Sequence, residues 1–297
     1  MYDRFAFGQD GHFFCKKEGE NLNQNWIVEN LNNAFSTWNG KLGELWGLVT
    51  TGPQTFKGGA VWSVMQTLHN GMVGIGYALV VLFFAISLCK NTMNFHELKR
   101  PEAAIHYFLR FVAAKALVGY GVDIMLNIFS ICNGIVTDMA NSMGGISEAM
   151  VSLPAEMQTA IENVGFLASI PLWLVTILGS LFITVLSFVM ILTVYGRFFR
   201  LYMYTALAPL PLAAFAGEST QSVGISFLKS YVGVCLEGAV IVLACVIYSA
   251  FVSTPTVASG EATTIVWSYL AETVFNMLVL VGLIKGSDRI IHEMMGL

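Results

Sequence analysis

Long apolar blocks separated by short charged segments dominate the pattern of the chain. Each block is about 20 residues long or longer, the helix length that a hydrocarbon layer of about 30 Å requires. This pattern predicts five membrane spans, over residues 61–89, 111–136, 164–196, 231–252 and 263–284. We therefore predict an all-α polytopic membrane protein with a transmembrane domain over residues 61–290 and a short tail over residues 291–297.

A sixth apolar block, residues 201–216, is short and contains Pro209 and Pro211. A proline inside a helix removes a backbone hydrogen bond and clashes with the preceding turn. Two prolines so close together argue against a straight membrane span. We expect residues 201–216 to form a re-entrant or interfacial segment that is buried against other helices.

The N-terminal region, residues 1–60, has the periodicity of an amphipathic helix. Apolar residues recur three or four positions apart, at Ile27, Leu31, Phe35, Trp38, Leu42, Leu45 and Val49. Polar residues fill the positions between them, and Thr51-Gly52-Pro53 ends the pattern. Two interpretations fit this helix: its apolar face lies on the outer leaflet of the membrane, or it packs against other helices or a partner subunit.

The positions of the basic residues predict the orientation of the chain. Two loops, residues 137–163 and 253–262, contain no Lys or Arg. The basic residues beside the other ends of the spans are Lys90, Lys99, Arg100, Arg110, Arg197, Arg200, Lys229, Lys285 and Arg289. Since cytoplasmic loops collect Lys and Arg, five spans place residues 1–60 outside the cell and residues 291–297 in the cytoplasm.

Composition excludes a soluble enzyme, because 56% of the residues are hydrophobic and only 11% are charged. The formal net charge is −4, without the polybasic run that grips a nucleic-acid backbone. We find no catalytic or nucleotide-binding motif, and the histidines and cysteines lack metal-ligand spacing. The sequence predicts a protein that is not an enzyme and holds no metal or cofactor.

Four ionisable residues lie inside predicted spans: Lys115, Asp123, Glu237 and Glu272. Helix rise places Lys115 and Glu237 about 6–10 Å from the cytoplasmic end, and Asp123 and Glu272 about 18 Å from it. We hypothesise that Lys115 pairs with Glu237, within or between subunits; the alternative is that Lys115 extends to the lipid headgroups. Asp123 and Glu272 would line a polar interior or a subunit seam, or be protonated and hydrogen-bonded between helices.

The junction between the third span and the proline block carries a family resemblance. The span ends in Gly-Arg-Phe-Phe-Arg over residues 196–200, and the following block contains Ala-Pro-Leu-Pro over residues 208–211. This resembles the TrbL family, the polytopic inner-membrane channel subunit of type IV secretion and conjugation systems. In that family an Ala-Pro-Leu segment follows a basic turn in the same way. The local motif covers residues 196–216, whereas residues 1–60 resemble nothing that we can assign.

The resemblance implies a homo-oligomeric ring, surrounded by membrane lipid, that helps pass single-stranded DNA or protein across the cytoplasmic membrane. Its partners would be ATPases supplied in trans and an outer stalk subunit. Arg197, Arg200, Pro209 and Pro211 would then lie near the cytoplasmic mouth. There the arginines would attract a phosphate backbone, or would serve only as signals for membrane topology.

Two rival functions remain, a secondary transporter and a stand-alone pore-forming or scaffold protein. Five unequal spans with one broken segment lack the duplicated halves of typical transporters.

Overall fold

The computed structural model describes residues 18–92, 101–142, 150–162, 164, 166–251 and 262–296, and all regular structure in these ranges is helical. The helices are α1 (Glu18–Thr50), α2 (Ala60–Thr92), α3 (Pro101–Gly119), α4 (Gly121–Ser142), α5 (Ala155–Glu162), α6 (Phe166–Leu207), α7 (Pro209–Ala213), α8 (Gln221–Phe251) and α9 (Ala262–Met295). Short 3₁₀ turns, Phe56–Gly59 and Ala214–Ala216, precede α2 and follow α7.

Within these ranges, five helices are long and apolar enough to cross a membrane, namely α2, α4, α6, α8 and α9. This confirms the predicted all-α polytopic fold, and each of the five predicted blocks falls on a different one of these helices. Their bounds differ from the prediction. Helix α8 begins at Gln221, ten residues before the predicted span, and α9 continues to Met295, well past the predicted end at residue 284.

The predicted span over residues 111–136 is divided at Tyr120 into α3 and α4. The backbone hydrogen bonds continue across this joint, with Tyr120 N–H donating to Ala116 O at 2.9 Å. A side chain at Gly121 would meet His69 of α2, whose Cε1 lies 3.1 Å from an ideal Cβ. On the N-terminal side of the joint, α3 packs on α2 and α7. On its C-terminal side, α4 packs on α8. The candidate membrane span therefore starts at Gly121.

Helix α6 contains 42 residues and runs into the predicted re-entrant block. Residues 201–207 are its last two turns, so only residues 208–216 leave the helix. They form α7 and the following 3₁₀ turn, here called the proline segment. Pro209 is the first residue of α7. A residue at this position makes no N–H hydrogen bond within the helix, so proline is well tolerated there. The proline segment is buried against α2, α3 and α8, and its re-entrant or interfacial position in the membrane stays a prediction.

Helix α1 is the predicted amphipathic helix, and all seven of its periodic apolar residues are buried. Its apolar face packs along α6, so this face is not available to a lipid leaflet. Trp26 stacks on Trp173 with ring centroids 6.0 Å apart, and the Tyr195 hydroxyl donates to Glu44 Oε1 at 3.1 Å. Because residues later in α1 meet residues later in α6, the two helices run parallel. Of the two interpretations of this helix, the structure therefore supports packing against other helices and not burial of the apolar face in the outer leaflet.

Helix α8 lies at the centre of the bundle and packs against α4, α6 and α9. Arg200 of α6 meets Glu237, whereas the later Tyr204 meets the earlier Phe227, so α6 and α8 are antiparallel. Small residues allow the close approach: an ideal Cβ at Gly233 would lie 2.9 Å from Ile291 Cγ2 of α9. This crowded contact region brings together charged side chains from distant parts of the chain.

Candidate functional site: a buried charge cluster

Arg197 of α6 is completely buried, and its guanidinium donates to three backbone carbonyls. Nε donates to Val234 O at 3.2 Å, and Nη2 donates to Cys235 O at 3.1 Å. Nη1 donates to Val49 O, near the end of α1, at 3.4 Å. Because a guanidinium has five N–H donors and cannot readily lose its charge, a buried arginine must find acceptors. Here the acceptors are main-chain atoms, so Arg197 ties α6 to α8 and α1.

Gly238 makes the space in which the guanidinium lies. An ideal Cβ at this position would be 2.7 Å from Arg197 Nη1 and 2.8 Å from Cζ, closer than real side chains approach. Phe129 of α4 lies on another side, with its ring centroid 5.9 Å from Cζ, which is within cation–π range. Arg197 is thus held between the backbone of α8 and an aromatic ring of α4.

Arg200, nearly one turn further along α6, pairs with two carboxylates. Its Nη2 donates to Glu237 Oε1 at 2.7 Å and to Oε2 at 2.8 Å, and its Nη1 donates to Asp288 Oδ1 of α9. The Ser287 hydroxyl donates to Glu237 Oε1 at 3.2 Å. The buried Glu237 carboxylate therefore has both of its oxygens hydrogen-bonded.

We call Arg197, Arg200, Glu237 and Asp288 the charge cluster. It contains two guanidinium groups and two carboxylates and is formally neutral. Burying an isolated charge is costly, whereas a paired and hydrogen-bonded charge is tolerated. Since separating the helices would leave a buried charge without its partner, the charge cluster holds α6, α8 and α9 in one register.

The structure corrects the hypothesis that Lys115 pairs with Glu237. Lys115 is exposed on α3, whereas Glu237 is 1% exposed and its carboxylate is occupied by Arg200. The reason is topological, because α3 packs on α2 and the proline segment, while Glu237 faces α6 and α9. Burial within its own chain also removes Glu237 from reach of a lysine in another subunit.

Asp123 and Glu272 are both exposed, on α4 and α9 respectively. They do not line a polar interior within this single chain. A location that faces a polar interior of the oligomer, or a seam between subunits, stays a prediction.

The geometry also bears on the predicted contact between the arginines and a phosphate backbone. Arg197 has no exposed surface and cannot touch a substrate in this conformation, so its role as a phosphate contact is wrong. Arg200 retains partial exposure, with its side chain 28% accessible, but both of its terminal nitrogens are engaged by carboxylates.

Pro211 lies beside the charge cluster, along a groove of about 520 Å³. The groove is lined by Arg200, Met203, Tyr204, Leu207, Leu210, Pro211 and Phe227. Pro209 instead faces inward, where an ideal Cβ at Gly76 of α2 would lie 2.9 Å from its carbonyl oxygen. His69 Nδ1 lies 2.8 Å from Thr205 O and joins α2 to the same end of α6. Arg200 and Pro211 are therefore brought together, as neighbours on one surface.

Sequence reasoning missed Asp288, Ser287 and Gly238. The predicted fifth span stopped at residue 284, so Ser287 and Asp288 fell between the end of that span and the predicted tail. A signal was present for Gly238 alone, because small residues in a transmembrane helix mark places where a neighbouring helix can approach closely.

Comparison with known protein families agrees with this architecture. The family model described as TrbL/VirB6 plasmid conjugal transfer like protein matches residues 38–209, more than half of the chain. No curated protein and no solved structure matches the chain. The matched region runs from the middle of α1 to the start of the proline segment and includes Arg197 and Arg200. The chain therefore belongs to the TrbL/VirB6 plasmid conjugal transfer-like family, as a multi-pass membrane component of a conjugal transfer or type IV secretion machine.

Proposed function

We propose that this chain forms a homo-oligomeric ring in the cytoplasmic membrane and helps pass DNA or protein across it. ATPases supplied by other subunits drive the transfer, and an outer stalk subunit meets the ring on its outer face. The N-terminus lies outside, and the C-terminus lies in the cytoplasm, as the distribution of Lys and Arg favours.

The length of the exposed apolar face of α6 carries the proposal of a ring. Exposed large apolar side chains run from Ile170 to Leu207. At 1.5 Å per residue this face is about 56 Å long, and a tilt of 40° would still leave about 43 Å along the membrane normal. A hydrocarbon layer of about 30 Å covers only part of it. The remainder needs protein as its cover, and another copy of the chain supplies it.

The charge cluster supports a passive role within the machine. Its guanidinium donors and carboxylates bind one another and the main chain, so they hold the helices together. A scaffold with fixed helices suits a channel whose energy comes from separate ATPases.

The test is donor-to-recipient DNA transfer from a strain that lacks this gene, with and without the wild-type gene restored. We expect transfer to be lost and then restored, with growth and membrane leakage unchanged. The purified protein should also run as a closed oligomer in native mass measurements. Substrate-coupled flux by the protein alone in liposomes would instead favour a secondary transporter, and leakage by the protein alone would favour a stand-alone pore.

A further inference from the structure

Two unlike surfaces are exposed side by side where α1 lies along α6. One surface, the apolar face of α6, consists of large exposed side chains: Phe182, Val185, Phe188 and Leu192. The other surface lies on the outward side of α1 and consists of small or polar exposed residues: Asn33, Ser36, Gly40, Gly43 and Gly47. We call the last three of these the glycine face of α1.

The two faces lie at the same depth in the molecule. The Lys41 Nζ is 5.9 Å from the centroid of the Phe188 ring, and the Tyr195 hydroxyl donates to Glu44 at 3.1 Å. Because α1 and α6 run parallel, residues 40–47 of α1 lie level with residues 188–195 of α6. Phe188 and Leu192, which are 53% and 65% exposed, therefore stand at the level of the three glycines.

Neither lipid nor water covers both faces well. Hydrocarbon suits Phe182 and Val185, but it removes water from Asn33 and Ser36, which lie at about the same level on the neighbouring helix. Water at this depth suits Asn33 and Ser36, but it leaves a contiguous apolar patch exposed on α6. A protein surface covers both faces if it packs large apolar side chains on the glycine face of α1 and small residues on the apolar face of α6.

A second copy of this chain presents both surfaces at the required depth. Rotation about an axis normal to the membrane leaves the depth of every residue unchanged, so patches at equal depth meet in a cyclic ring. We propose that the apolar face of α6 in one copy packs on the glycine face of α1 in the next copy. This inference rests on the proposed ring and identifies its contact surface.

The local geometry fits this contact. Nothing lies within 4 Å of an ideal Cβ at Gly40, Gly43 or Gly47, so the backbone of α1 is open to an approaching helix. Small residues let helices approach closely in membranes, where van der Waals packing drives association. The contact joins two different faces, so it is heterologous, and repetition around the axis gives a ring when the rotation from copy to copy closes a full turn.

The experiment is disulfide cross-linking between two differently tagged chains, one carrying Gly43→Cys and the other Leu192→Cys. Both chains carry Cys15→Ser and Cys89→Ser. A disulfide needs Cα atoms roughly 4.4–6.8 Å apart, so only a direct contact gives a species with both tags. The matched control replaces Gly43→Cys with Glu29→Cys, which is exposed on a nearby side of α1 about 21 Å away. We expect at least tenfold more double-tagged product from the Gly43 pair.

A second variant tests the contact without relying on cysteines. Gly43→Leu adds a side chain that meets nothing in its own chain, and leucine favours a helix more than glycine does. We expect its ring fraction to fall at least fivefold, with thermal stability of the protomer equal to or above that of the wild type.

Equal cross-linking of the two pairs, or a normal ring from Gly43→Leu, would overturn this contact while leaving the ring itself intact. Absence of any oligomer from the wild type would instead remove the proposed ring.

Discussion

Replacing Gly238 with alanine tests whether Arg197 holds the bundle together. The new methyl group would lie 2.7 Å from Arg197 Nη1 and 2.8 Å from Nη2. Contacts this short cannot persist, so the guanidinium must move away from α8. It has no free space to move into, because it is completely buried among α1, α4, α6 and α8.

The magnitude follows from the hydrogen bonds that are lost. Displacement from α8 breaks the bonds to Val234 O and Cys235 O, which are 3.2 and 3.1 Å long. Each hydrogen bond from a charged donor contributes about 1.5–3 kcal/mol, so the loss is about 3 kcal/mol at the lower end. Alanine recovers up to about 1 kcal/mol through its better helix propensity. We expect Gly238→Ala to lower the free energy of unfolding by about 2 kcal/mol.

Equilibrium unfolding in mixed detergent micelles measures this change, and Gly196→Ala is the matched control. Gly196 lies in α6 directly before Arg197, and nothing is within 4 Å of an ideal Cβ there. The same substitution at this position should therefore raise the free energy of unfolding by about 0.5–1 kcal/mol. The two variants should change stability in opposite directions.

A Gly238→Ala variant as stable as Gly196→Ala would refute the argument. A further check uses Arg197→Met, which removes the guanidinium that the methyl group meets. In that background Gly238→Ala should no longer destabilise the protein, because contacting residues are not additive. An additive loss in the double variant would show that the methyl group acts on something other than Arg197.

Two further variants test other contacts. Gly76→Ala should destabilise the protein and loosen the proline segment, because its Cβ would lie 2.9 Å from Pro209 O. Gly74→Ala, the control, should be neutral or stabilising, since its Cβ meets nothing within 4 Å. Equal melting temperatures of the two variants in detergent would contradict this. Val151 N–H donates to Asn39 Oδ1 at 3.0 Å, and Asn39 Nδ2 donates back to Val151 O at 2.8 Å. Asn39→Ala should therefore speed amide exchange at Val151 about tenfold, the effect of losing roughly 1–1.5 kcal/mol of hydrogen bonding. Unchanged exchange at Val151 would show that this pairing does not hold residues 150–153 on α1.

Local sequence signals predicted the elements whose identity depends on nearby residues. Spacing of three and four placed the seven periodic apolar residues between Ile27 and Val49 on the buried face of α1. Hydropathy found all five candidate spans. It did not find the division at Tyr120, because the residues on both sides are apolar and helical, and the two helices are distinguished by their packing partners.

The pairing within the charge cluster could not be predicted from local sequence signals. The sequence identified Glu237 as an intramembrane carboxylate and Arg197 and Arg200 as members of one basic turn. It could not identify their partners, because depth along a helix says nothing about which face meets which neighbour. Depth matching selected Lys115 for Glu237, and the contacts between helices selected Arg200.

The sequence by itself determined the fold class, the number of candidate spans and the amphipathic character of α1, because length, hydropathy and periodicity are properties of contiguous residues. Only the tertiary structure decided that α1 packs on α6 and that Arg197 is sealed inside the bundle. Arg200 pairs with Glu237 across 37 residues and with Asp288 across 88 residues. Such pairs are set by the rotation and register of whole helices, and these depend on every packed side chain at once.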